Sequence, residues 1–109
     1  MIAFHRVLSI KSEGGLQQVA IDIALPFDDR GSWRCNFTIG WPEGPYTGYG
    51  MGTDAVQAIR LTFGQIAIML YASTYHRDGI LFWQRPGDGY GFPLPYDGRD
   101  VAIGNDKRL

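Results

Sequence analysis

The chain of 109 residues is 45% hydrophobic, 14% aromatic and 19% charged, enough apolar material for one core and too much for a disordered chain. Ten basic against eleven acidic residues leave a net charge of -1, so no positive field draws the chain to nucleic acid or to an anionic membrane. A single cysteine excludes an internal disulfide and fits a reducing compartment. The opening Met1 to Arg6 lacks the charged-then-apolar order of a secretion signal, and no unbroken apolar run of about 18 residues marks a membrane span. A soluble cytoplasmic domain is the expectation.

Residues 2–10 alternate loosely, with Ile2, Phe4, Leu8 and Ile10 on one face and Arg6 interrupting it. Ser12-Glu13-Gly14-Gly15 reads as a turn. Val19, Ile21, Ile23 and Leu25 then recur with a period of two, the mark of a half-buried strand. Pro26 ends that strand, and Asp28-Asp29-Arg30-Gly31 supplies a second turn. A third strand follows with Trp33, Cys35, Phe37, Ile39 and Trp41 facing inward.

Five glycines and two prolines between residues 40 and 52 exclude a helix and suggest a loop. Asp54, followed three residues later by Gln57, resembles a capping box. A helix is expected from Asp54 to Ser73, with Val56, Ile59, Phe63, Ile66, Ala67 and Leu70 as its core stripe. Ile80 to Gln84 reads as a fourth strand, and the glycines and prolines from Arg85 onward preclude regular structure. The expected fold is α+β: a two-layer sandwich in β-β-β-α-β order, its four-stranded, mainly antiparallel sheet covered on one face by one helix. Residues 1–96 form the single domain; residues 97–109, the end of the irregular Pro/Gly-rich stretch that begins at Arg85, are a tail expected to be partly disordered.

The chemistry-bearing residues do not assemble into a catalytic set. Cys35 is in phase with buried positions and packs as a small hydrophobe. His5 and His76 are the only histidines and have no metal-ligand spacing. Gly48-Tyr49-Gly50-Met51-Gly52 precedes a helix but lacks the lysine of a P-loop and the parallel βαβ unit of a dinucleotide site. No metal and no cofactor is therefore expected. The outward positions of the first three strands carry no Phe, Tyr or Trp on which bases could stack, and Asp22 and Arg34 suggest a cross-strand ion pair. On the helix, Leu61, Gly64 and Ile68 fall on the side opposite the core. A mid-helix glycine costs roughly 1 kcal/mol against alanine, a cost that close approach of another segment offsets. That segment is either the chain's own tail or a partner. Trp41, Tyr46, Tyr49, Leu61, Gly64 and Ile68 are the candidate partner interface.

Trp33-Arg34-Cys35, the helix start Gly52-x-Asp54-x-x-Gln57-Ala58-Ile59, Leu81-x-Trp83 and Gly91-Phe92-Pro93 together resemble a family of short bacterial proteins of unknown function. That resemblance implies a fold and no activity. A fainter likeness, in the strands and the Gly52-Thr53-Asp54 turn before the helix, is to HicB-style antitoxin domains, which bind a toxin. The functional expectation is a non-enzymatic bacterial protein-binding module of immunity or antitoxin type, without nucleic-acid or membrane partners. A homodimeric regulatory domain is the alternative, and a small-ligand domain using the glycine loop is the third reading.

Overall fold

The computed structural model describes residues 2–109. Strands β1 (Ile2–Ser12) and β2 (Gly15–Ala24) pair as an antiparallel hairpin through the expected turn. After Leu25-Pro26 the chain resumes as β3 (Phe27–Asp29), then turns into β4 (Ser32–Trp41). The two turn residues, Arg30 and Gly31, lie at φ 58° and 95°, the positive values a two-residue type I′ hairpin requires. β2 and β3 share one edge of β4, and β5 (Gly44–Gly52) takes the other along its whole length. β6 (Leu81–Phe82) closes the far side against β1.

The α+β class and the antiparallel sheet stand, but the sheet has six strands rather than four. The glycine-rich stretch expected to be a loop is β5, and the register with β4 explains why it escaped detection. Gly52, Gly50 and Gly48 lie opposite Trp33, Cys35 and Phe37, on the face that meets α1 (Ala55–Ala72). A Cβ at Gly50 would fall 2.5 Å from Thr62 Oγ1 and 2.9 Å from the Ala58 carbonyl. A Cβ at Gly52 would fall 2.7 Å from the Ala58 amide nitrogen. The helix thus sits directly on the strand backbone. The inward positions of β5 carry no apolar side chain at these contacts, so the usual alternation is absent.

That seating also rotates the helix relative to the expected stripe. Ala58 and Thr62 are buried with Ile66, Ala67 and Leu70, whereas Val56 is 73% exposed and Ile59 and Phe63 are only partly covered. The Thr62 hydroxyl donates to the Cys35 carbonyl at 3.1 Å, which satisfies a polar group the core would otherwise strand. The capping box forms one residue out of step. Asp54 accepts from the Gln57 amide at 2.8 Å, while Gln57 Oε1 accepts from the Thr53 amide at 2.7 Å. By length and composition α1 is apolar enough to cross a membrane. The unbroken-run criterion missed this because Gln57, Arg60 and Gln65 interrupt it; in this fold the helix lies on the sheet.

Beyond α1 the short helix α2 (Thr74–Arg77) carries His76. The expected strand over residues 80–84 shrinks to Leu81–Phe82, with Trp83 and Arg85 in an isolated bridge and Gln84 between them at φ 51°. The C-terminal segment, read as irregular, contains two 3-10 turns, Tyr96–Val101 and Gly104–Arg108. It packs along one flank of α1, where Pro95 Cγ would meet a Cβ at Gly64 at 3.4 Å and Phe92 lies against Phe63 at 6.0 Å between ring centres.

Candidate functional site

The residue that broke the pattern of the first strand organises the polar centre of the molecule. Arg6 points to the helix side of β1, since it pairs with Ile21. Its guanidinium carbon stacks 3.9 Å from the Trp83 ring centre and 4.8 Å from that of Phe92. One terminal nitrogen, Nη1, donates to the carbonyls of Tyr90 and Gly91 at 3.1 and 3.0 Å. Gly91 lies at φ 78°, and a Cβ there would strike both Arg6 and the Trp83 ring at 2.5 and 2.7 Å. The motif residues Trp83, Gly91 and Phe92 therefore meet around one cation.

Asp106 holds the same two residues by their amides. Only 3% of it is exposed, and its carboxylate accepts from the Tyr90 amide, the Gly91 amide and the Tyr71 hydroxyl at 2.9, 2.7 and 2.7 Å. The Tyr71 oxygen accepts in turn from the Ile103 amide at 3.0 Å. Burial first, and the neighbouring carboxylate after it, hold the hydroxyls of Tyr71 and Tyr90 well above the usual phenol range. Burial also lowers the pKa of His76, whose Nδ1 lies 2.5 Å from the Tyr90 hydroxyl oxygen. Burial lowers the pKa of Arg6 as well, opposed by Asp106. No signal in the sequence exposed this network, because Arg6 and Asp106 are a hundred positions apart and meet only once the tail folds back.

The candidate partner interface does not form one patch. Trp41 is stacked on Tyr75 at 5.3 Å, and the Tyr75 hydroxyl donates to Glu43 at 2.7 Å. Gly64 lies under Pro95. Tyr49 emerges on the open face of the sheet, covered by the Arg34 guanidinium at 3.8 Å. Tyr46, on the helix side, leans on Phe37 at 6.0 Å. Leu61 and Ile68 remain 39% and 48% exposed on the strip of α1 between the tail and β5. The tail thus covers one flank of the helix and leaves the flank beside β5 open.

Two expectations for the open face need correction. Asp22 pairs with Thr38, not Arg34, and its carboxylate meets His5 Nδ1 at 2.5 Å across the β1–β2 ladder instead. Aromatic side chains do reach this face. Tyr49 arrives with β5, and Phe27 and Phe82 are in register with Arg34 and Ser9.

The outer edge of β5 is the other feature the sequence did not reveal. Among the described residues β5 pairs with β4 alone, and no other backbone or side-chain hydrogen bond reaches residues 44–52. Nine residues without a charge form this edge; Pro45 near its start offers no amide, but from Tyr46 onward the strand has none of the charges or cover by which natural edges are usually blunted. Cys35 is fully buried, and burial raises its thiol pKa. It therefore presents no thiolate to a substrate. Among the described residues no group of three His, Cys, Asp or Glu side chains could hold a metal ion.

A protein-family model described as a domain of unknown function, DUF6968, matches residues 4–94, in keeping with the resemblance to short uncharacterised proteins. No curated protein and no solved structure matches the chain, and the likeness to HicB-style antitoxins gains no support.

Proposed function

The chain belongs to the DUF6968 family, and on that footing we propose that it is a non-enzymatic protein-binding module working through the outer edge of β5 and the adjoining strip of α1. The uncharged, unpaired edge carries this reading, because the free amides and carbonyls beyond Pro45 can extend the sheet with a strand from another chain. Exposed Leu61 and Ile68 supply the apolar contact beside it.

A second copy of the chain is the occupant these features favour. In an antiparallel pairing of two β5 strands centred on Gly48, Tyr46 of each copy lies opposite Gly50 of the other, large against small. A nine-residue strand is about 30 Å long. A belt of that length and roughly one strand plus one helix wide buries on the order of 1,000 Å² in total, the lower bound of a specific interface. The absence of charge along β5 gives an oppositely charged partner nothing to read. A toxin or other foreign protein on the same edge, as an immunity or antitoxin role would require, is the competing outcome.

Light scattering on the purified chain tests the proposal. The expected mass is that of a dimer, which Thr47→Lys and Leu61→Asp/Ile68→Asp both convert to monomer with unchanged circular dichroism. A monomeric wild-type chain at high micromolar concentration would refute self-pairing. A complex with another protein that survives both variants would refute the edge itself.

A further inference from the structure

We propose that the cleft between Arg6, Phe4, Phe63 and Phe92 is a binding site for a small carboxylate carried on a hydrocarbon body. The inference is independent of the β5 edge. It starts from the charge accounting around Arg6. A half-buried guanidinium is ordinarily matched by a carboxylate in contact. Here the only ion pair among the described residues is His5–Asp22, and Asp106 spends its oxygens on two amides and the Tyr71 hydroxyl. Of the Arg6 nitrogens, only Nη1 has partners within the protein. Among the described residues no buried side-chain nitrogen lacks a partner, so Nε and Nη2 are not fully buried.

Two clefts meet at this side chain. The smaller, about 260 Å³, also holds Asp88 and Asp106, whose charges oppose an anion. The larger, about 420 Å³, is lined by Phe4, Ile23, Phe63 and Phe92 together with Ala3, His5, Arg6 and Gly91; no acidic side chain lines it. Its volume lies in the range of small-molecule sites, which pair an apolar lining with a few fixed polar groups. The guanidinium is already immobilised by two rings and two carbonyls, so little rotamer freedom is lost when its free edge accepts a planar carboxylate. The aromatic walls fit a phenyl ring or a short alkyl chain and give nothing to a phosphate ester's polar body.

The test is a titration of the ¹⁵N-labelled full chain with phenylacetate, octanoate and neutral phenylacetamide, followed by amide shifts. The expected result is saturable movement at Gly91 and Phe92, with phenylacetate at least tenfold tighter than phenylacetamide. The ratio of octanoate to phenylacetate then ranks the alkyl against the aryl body. Phe4→Asp, which removes part of the apolar wall at a half-exposed position and adds a negative charge, should weaken both ligands, phenylacetate about tenfold more than phenylacetamide. Arg6→Lys should erode the carboxylate preference while keeping the charge. Equal affinity for phenylacetate and phenylacetamide, shifts confined to other surfaces, or no saturation with either acid would each overturn the proposal.

Discussion

Replacing Gly50 by alanine probes the contact on which the sandwich rests. Gly50 is not at positive φ, so alanine adopts its backbone without strain and gains roughly 0.5–1 kcal/mol from a stiffer unfolded chain. Against that gain stand contacts of 2.5 Å to Thr62 Oγ1, 2.7 Å to the Thr62 amide nitrogen and 2.9 Å to the Ala58 carbonyl. Two of these three atoms are helix backbone, so rotating one side chain cannot relieve them. The helix must lift by up to about 1 Å, which costs roughly 1–3 kcal/mol in an overpacked core. It also stretches the Thr62 bond to Cys35, worth about 1 kcal/mol. The repulsion wins, for a net loss of about 1–3.5 kcal/mol and a fall in Tm on the order of 10 °C for a domain of this size. Thermal unfolding by circular dichroism reads this directly. Adding Thr62→Ala should restore only part of the loss, because the backbone clashes remain. Gly64→Ala is the control. Its Cβ meets Pro95 at 3.4 Å and it gains about 1 kcal/mol of helix propensity, so Tm should stay level or rise. Equal behaviour of Gly50→Ala and Gly64→Ala would refute the seating of α1 on β5.

Two further outcomes follow from the buried polar centre. Asp106→Asn replaces an acceptor of three hydrogen bonds by an amide whose N–H groups face donors, and should cost about 3 kcal/mol; urea unfolding measures the loss, and limited proteolysis should cut the segment after Leu94 sooner. His76 is held below its ordinary pKa of 6.5 by burial, so as pH falls below that value the unfolded chain takes up a proton the folded chain resists. Stability is therefore complete above pH 6.5 and declines as pH drops below it, and His76→Gln should remove this part of the slope between pH 7.5 and 5; an unchanged slope would show that His76 is not the group responsible.

The elements whose pattern is local were legible in the sequence. Alternation over residues 19–25 and 33–41, the Asp54 cap and the turns at residues 12–15 and 28–31 each depend on neighbours a few positions away. They gave the α+β class, the β1–β2 hairpin and the helix nearly to the residue. A family likeness carried by Trp33, Asp54, Trp83 and Gly91 also reached the right group of proteins.

What the tertiary structure decided shares one physical cause, since contacts between distant segments leave no periodic mark. β5 is a strand because α1 needs bare backbone at Gly50 and Gly52, so the glycines that read as a loop are those the packing selects. Arg6, which read as an interruption, stacks on two rings and lines the larger cleft. The outer strip of α1 is divided because Pro95 reaches Gly64 but no tail residue buries Leu61 or Ile68. Composition and periodicity determine which segments can bury a face; which faces then stay open is set by how those segments pack against one another.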